Sequence, residues 1–182
     1  AGELACITDP MGGKEAYTYD SGGRLCTKRD RNGTETHYTY NMYGNLLSKT
    51  AGDLSDRYEY TPEGLLKSAI SQGMRYTYAY DEMGRIKEKC ASGRRLLSLS
   101  YDLNGNLTKQ ENVTGKVTEY RYDLLDRVAE VWDNGKRTAE YTYYPDDSIK
   151  SLRNGESLYT EYAYDKDKNL TSLKTVLGTE VL

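Results

Sequence analysis

The sequence predicts an all-β protein, an antiparallel meander of about 16 short strands built from eight tandem hairpin repeats. Three observations predict it. Tyr19, Tyr40, Tyr60, Tyr80, Tyr101, Tyr122, Tyr143 and Tyr164 recur at intervals of 21, 20, 20, 21, 21, 21 and 21 residues along the 182-residue chain. Most are preceded at a spacing of two by another tyrosine, and that spacing puts both rings on one face of a strand. Glycine or a turn cluster recurs about every 10 residues, with no longer apolar run at helical period.

The first strand of each unit carries the pair Tyr17, Tyr38, Tyr58, Tyr78, Tyr120, Tyr141 or Tyr162 with its partner, Leu99 standing in before Tyr101. A tight turn follows, ending in Gly23, Gly44, Gly64, Gly84 or Gly105 and, in the last three units, in Asp126, Asp147 or Lys168. In its fullest form the turn reads Tyr19-Asp20-Ser21-Gly22-Gly23. The carboxylate can bond the backbone two residues on, while glycine supplies the positive φ that reverses the chain. Asp tolerates that conformation better than most residues, and Lys168 is the poorest fit, so the last hairpin is expected to be the least stable.

The second strand of each unit opens on Leu25, Leu46, Leu66, Ile86, Leu107, Val128, Ile149 or Leu170. Junctions between units carry Asn32-Gly33, Asn134-Gly135 and Asn154-Gly155, with Gly52, Gly73, Gly93 and Gly115 elsewhere. Asn-Gly between alternating runs predicts two-residue turns with φ above zero at both positions. At about 4.8 Å per strand the strip would be on the order of 75 Å wide and must twist, curl or close. Tyrosine and leucine in register would form ladders, so stability would accumulate between neighbouring repeats.

Composition agrees with a half-wetted sheet. There are 19 Tyr, one Trp and no Phe, so nearly every aromatic ring brings a hydroxyl that needs a partner. The 25 basic and 28 acidic side chains intermingle to a net charge of −3, which predicts no nucleic-acid partner. No apolar run is long enough for a membrane helix, so no membrane insertion is expected, and the opening residues lack a signal-peptide layout. Residues 1–182 read as one repeat array, expected to be part of a longer chain.

The form Thr8-Asp9-Pro10-x-Gly12, followed by Tyr17-x-Tyr19-Asp20-x-x-Gly23-Arg24-Leu25, resembles the Rhs or Tyr-Asp (YD) repeat family over essentially the whole chain. That family takes in bacterial Rhs polymorphic toxins, toxin-complex C subunits, wall-associated proteins and teneurins. The resemblance implies a segment of a spiral β-shell that encloses or presents a toxin or other cargo, in a secreted or cell-surface protein. It also implies flanking YD repeats as partners, with self-association through exposed sheet edges when these are missing. The family's self-cutting segment is not found, and Asp9-Pro10-Met11-Gly12 reads as an ordinary inter-repeat turn.

Chemistry-bearing residues are sparse. His37 is the sole histidine and belongs on the face opposite the tyrosines, too isolated for a metal site or a triad. Cys6, Cys26 and Cys90 read as free thiols. The segment from Asp165 lacks both the glycine and the final glutamate of a calcium loop, since Leu170 and Val176 stand at those positions. Four glycosylation triplets begin at Asn32, Asn106, Asn112 and Asn169. No catalytic residue, cofactor or metal is expected, and the chain is read as a non-enzymatic scaffold. The alternative is a cell-surface adhesion module, binding carbohydrate or protein with Trp132 as anchor.

Overall fold

A computed structural model describes residues 2–178 and 180–181. The chain divides into two units, residues 1–94 and 95–182. In the first unit the strands are β1 (Cys6–Thr8), β2 (Lys14–Tyr19), β3 (Leu25–Arg29), β4 (Glu35–Tyr40), β5 (Leu46–Ala51), β6 (Leu54–Tyr60), β7 (Leu66–Ser71), β8 (Met74–Tyr80) and β9 (Ile86–Ala91). Each pairs antiparallel with the next, from Cys6 opposite Ala16 to Tyr80 opposite Ile86.

The second unit repeats the plan. Its strands are β10 (Arg94–Tyr101), β11 (Leu107–Asn112), β12 (Val117–Tyr122), β13 (Val128–Asp133), β14 (Lys136–Tyr143), β15 (Ile149–Asn154), β16 (Leu158–Tyr164), β17 (Leu170–Leu177) and β18 (Glu180–Val181). These again pair in chain order. Among the described residues there are eighteen strands and no helix. Sixteen of the strands are the eight hairpins expected from the tyrosine period; β1 and β18 lie before the first and after the last of these. Val176 of β17 pairs with Val181 of β18, and Leu182 lies outside the described residues.

Within each repeat the hairpin carries an irregularity that sequence periodicity did not reveal. Thr18 faces Thr27, but Tyr19 faces Leu25, so Cys26 is an extra residue in β3. The same slip falls before Tyr40, Tyr60, Tyr80, Tyr101, Tyr122, Tyr143 and Tyr164. A bulge of this kind sharpens local twist and re-aims side chains. Here it sets the second tyrosine beside the aliphatic residue that opens the next strand, and leaves the residue after the aliphatic without a cross-strand partner.

The intra-repeat turns are all of one type. Gly23 N donates to Asp20 O at 3.0 Å and Asp20 N to Arg24 O at 2.9 Å. Asp126, Asp147 and Lys168 take positive φ values of 58°, 72° and 65° where other repeats have glycine. The junctions between repeats differ from the expectation. Only Asn134-Gly135 among the Asn-Gly pairs has positive φ at both residues, 48° and 80°. Asn32-Gly33 instead closes a longer turn, with Asp30 N donating to Thr34 O and only Gly33 at positive φ. Asn154 faces Leu158 as a strand pair, so that loop has three residues rather than two. Two other pairs, Gln72-Gly73 and Ser92-Gly93, adopt the doubly positive form that Asn-Gly was expected to mark.

Each unit is one sheet thick. Among the described residues only Ser68, Ala69, Ala139, Ser151 and Thr160 are buried. A sheet with no second layer has little apolar area to remove from water, so its cohesion rests on cross-strand pairs and hydrogen-bonded ladders.

Candidate functional site

In most repeats the second tyrosine donates backwards to a carbonyl earlier in the chain. In the first unit the hydroxyls of Tyr40, Tyr60 and Tyr80 reach the carbonyl oxygens of Leu25, Leu46 and Leu66 at 3.0, 2.9 and 2.8 Å. In the second, Tyr122 reaches Leu107 and Tyr143 reaches Val128 at 2.8 and 2.7 Å. Tyr19 does the same with Leu4 at 3.1 Å. These carbonyls lie past the end of the paired ladder: β3 and β4 pair only from Thr27 to Arg29, leaving Leu25 O for the phenol. Burial pushes the phenol pKa of Tyr40, Tyr60, Tyr80, Tyr122 and Tyr143 up, which keeps them protonated as donors.

The ladder changes in the last repeat. Among the described residues Tyr164 donates to no carbonyl; its ring meets the edge of Tyr144 at 6.2 Å, and Tyr144 donates to Tyr162 O at 3.1 Å. The first tyrosines play a different part. Tyr17 donates to Glu15 at 2.6 Å, and Lys89 Nζ lies 5.3 Å from the Tyr76 ring centre and 5.7 Å from that of Tyr78. Tyr141 stacks on Tyr143 at 6.5 Å.

At the turns a carboxylate organises the backbone. Asp20 Oδ1 accepts from Gly22 N and Arg24 N at 2.8 and 3.0 Å, and Oδ2 accepts from Arg24 Nε at 2.7 Å. The Arg24 amide, then the guanidinium, holds the Asp20 carboxyl below its ordinary value, and the Arg127 side chain does the same for Asp123. At Asp81 and Asp102 partial burial works the other way, but the turn amides outweigh it and the pKa is lowered too.

The residue after the turn glycine is a tie that the sequence reading did not recognise. Arg24 Nη1 donates to Asn41 O at 2.9 Å in the next turn, with its guanidinium 5.4 Å from the Tyr40 ring centre. Arg127 repeats this with Tyr144 O at 3.2 Å and Asp147 Oδ1 at 2.8 Å, over the Tyr143 ring at 4.6 Å. Where arginine is replaced, Asn106 Nδ2 reaches Asp102 and Asp126 at 3.1 and 2.7 Å. The recurring Gly-Arg step was the available signal.

The opposite face is polar. Hydroxyl pairs join Thr18 to Thr27, Thr39 to Ser48 and Thr142 to Ser151 at 2.7, 2.7 and 2.6 Å. His37 lies here beside Glu35 at 3.7 Å, as alternation predicts. Glu130 accepts from Trp132 Nε1, Arg137 and Arg121 at 2.9, 3.0 and 3.0 Å; the Trp132 indole leads in lowering its pKa. The Arg121 guanidinium sits 4.4 Å from the Trp132 ring centre. One face of the indole is therefore covered by the guanidinium.

Cys6, Cys26 and Cys90 form no disulfide among the described residues, and Cys90 Sγ donates to Glu88 at 3.3 Å. Asp165 Oδ1 is engaged by the amides of Asp167 and Asn169, both at 2.9 Å, in a turn. Asp9 Oδ1 likewise accepts from Met11 N and Gly13 N at 2.8 Å, so Asp9-Pro10-Met11-Gly12 is a turn between β1 and β2. Among the described residues no three His, Cys, Asp or Glu side chains converge in a metal-binding group, and no helix is long and apolar enough to cross a membrane.

Comparison with known proteins matches this geometry. A family model described as teneurin YD-shell matches residues 15–111, and one described as RHS repeat matches residues 101–138. Teneurin-m of Drosophila melanogaster is 29% identical over 106 residues, covering 57% of this chain and 4% of that protein. Among solved structures, TcdB2-TccC3-TEV superposes with a TM-score of 0.79 at 14% identity, over 98% of this chain and 11% of that one. TcdB2-TccC3 gives 0.80 at 15% identity, over 96% and 11%. A Photorhabdus luminescens Tc holotoxin pore gives 0.50 at 13% identity, over 100% and 16%. At these identities the structural likeness shows the fold, and the chain spans a small fraction of each relative's length.

Proposed function

Because this chain belongs to the teneurin YD-shell family, we propose that it serves as a length of shell wall, enclosing or presenting a toxin or other cargo. That it is a structural shell segment follows from the family and the fold. Containment is the added step. It is carried by the tyrosine ladder: Tyr40, Tyr60 and Tyr80 in the first unit, and Tyr122 and Tyr143 in the second, bond their hairpins to the one before by the same phenol-to-carbonyl contact. A wall that bonds repeat by repeat extends without a globular core.

The wider reading is that residues 1–182 form one array within a longer chain, secreted or displayed at a cell surface. Flanking repeats complete its edges, and the repeat positions from Tyr17 to Leu170 act as structural residues rather than as a reactive site. The relatives support this: solved structures of similar fold include TcdB2-TccC3 and a Tc holotoxin pore, and the matched curated protein is a teneurin. Trp132 is a poorer anchor for the adhesion reading, since Arg121 occupies one face of its ring.

Sedimentation equilibrium joined to small-angle scattering tests the wall reading on the chain itself. An isolated wall segment is expected to self-associate through its terminal strands. A monomer that persists at high concentration would count against it.

A further inference from the structure

Eight repeats build one wall, so a feature they share serves the wall, and a repeat that gives such a feature up points to another use. The residue after the second tyrosine carries a carboxylate, amide or hydroxyl in seven repeats, among them Asp20, Asn41 and Thr61, and is Tyr144 in the seventh along the chain. That turn thereby loses the side-chain oxygen that, in the first repeat, accepts from the amides two and four residues on. One repeat later the tyrosine ladder is given up too: among the described residues Tyr164 bonds no carbonyl, whereas Tyr122 and Tyr143 each do. Both losses fall at one place, where the rings of Tyr144 and Tyr164 meet.

A cavity of about 300 Å³ lies there in the second unit, lined by Tyr144, Pro145, Asp146, Ala163, Tyr164 and Asp165. The two ring planes stand at 88° with centres 6.2 Å apart, which makes a right-angled corner. An ion about 4–5 Å from the centre of each of two perpendicular rings sets those centres about 6 Å apart. Tyr144 is fixed in the corner by its bond to Tyr162 O at 3.1 Å. The same ring already draws a cation in the neighbouring hollow, where Lys150 Nζ lies 5.9 Å from its centre. Both charged residues that line the cavity are carboxylates. Their oxygens are engaged close to home: Asp165 accepts from the amides of Asp167 and Asn169 and from the Asn169 side chain. Asp146 accepts from Ser148 N at 3.2 Å and has Lys168 Nζ 3.7 Å from its Oδ2.

We propose that this corner binds a quaternary ammonium ion of the choline type. Aromatic rings attract a cation through their quadrupoles, with no hydrogen bond required. Asp146 and Asp165 add negative potential at short range. A primary ammonium has three N–H groups to satisfy, and these carboxylates have spent much of their accepting capacity within their own turns. A trimethylammonium group has no N–H, takes the charge without the bonds, and sets its methyl groups against Pro145, Ala163 and the rings. An anion is disfavoured because no basic side chain lines the cavity. The volume is at the small end of ligand pockets and suits one head group rather than an extended chain. The wall reading does not depend on this site, so failure here leaves that reading untouched.

Proton NMR on the intact chain tests it, with choline as probe, 3,3-dimethylbutan-1-ol as its uncharged shape match and ethanolamine as the primary ammonium. The trimethyl singlet of choline is expected to broaden and move upfield, because protons over an aromatic face are shielded, while neither analogue responds at the same millimolar concentration. Tyr164→Leu is expected to weaken choline roughly tenfold, and Tyr164→Phe, which keeps the ring, to leave it unchanged. Tyr144→Asp gives the seventh turn the Asp-Pro start that already folds at Asp9-Pro10, so it should remove binding with circular dichroism unchanged. Trp132→Phe should leave binding intact. Phosphocholine, the same group carried as a head group, is expected to bind more weakly, since the two carboxylates repel its phosphate. No shift of the choline singlet would overturn the proposal. So would an equal response from the neutral alcohol, tighter binding of phosphocholine, or a shift that survives both Tyr144→Asp and Tyr164→Leu in folded protein.

Discussion

The Tyr122 hydroxyl donates to the Leu107 carbonyl oxygen at 2.8 Å, across the boundary between the fifth and sixth repeats. Its partner lies fifteen residues earlier in the chain, beyond the last backbone pair that joins β11 to β12. A side chain thus completes a ladder that the backbone leaves short.

Tyr122→Phe is expected to destabilise the second unit by about 1 kcal/mol, the usual net value of one such bond. Tyr164→Phe is the internal comparison, since among the described residues Tyr164 donates to no carbonyl; its cost should be within ~0.5 kcal/mol of zero. Urea denaturation with a common slope for the variants checks both.

Lys168 holds a φ of 65° that other repeats give to glycine or aspartate. Lys168→Gly is expected to stabilise the last hairpin by about 1 kcal/mol through relief of left-handed strain. Part of that gain is offset by loss of the Lys168 Nζ contact with Asp146 O at 3.0 Å. Slower amide exchange in β16 and β17 is the readout. The reverse change, Gly84→Lys, should cost about 1–2 kcal/mol.

Arg127→Lys keeps the charge but not the planar fork that spans Asp123, Asp147 and Tyr144 O. Amide exchange at Asp147 and Ser148 is expected to quicken, while exchange in β2 through β5 stays as it was. Equal protection in the lysine variant would show that charge alone makes the tie.

Stability should be flat near neutrality and fall at both ends of the pH scale. Asp20, Asp81, Asp102, Asp123 and Asp165 have lowered pKa values in the folded state. Their contribution is therefore full above the ordinary value of 3.8 and is lost as pH falls through the folded values. The half-buried phenols are raised instead, so theirs is full below 10.0 and is lost as pH rises through the folded values. Urea midpoints measured from pH 3 to 11 check the two limbs. Asp123→Asn should shrink the acid limb alone.

Much of the wall was legible in advance. The tyrosine period located all eight hairpins, and the positive φ at Asp126, Asp147 and Lys168 falls where a missing glycine had to be tolerated. Alternation also put His37 on the face away from the tyrosines. Less legible were the junctions: Asn32-Gly33 and Asn154-Gly155 did not form the turn their sequence favours, because strand pairing ends at a different distance on either side. The covered face of Trp132 and the Arg24 and Arg127 ties were missed for a related reason. Each depends on a residue from a neighbouring strand or turn.

The sequence by itself determined the period, the strands and the residues that share a face, since pleating and turn preference act over a few consecutive residues. Tertiary structure decided which phenol meets which carbonyl, where each bulge falls and how Tyr144 and Tyr164 come to line one cavity. Those outcomes depend on register between strands, and one residue of slip there turns a side chain to the other face.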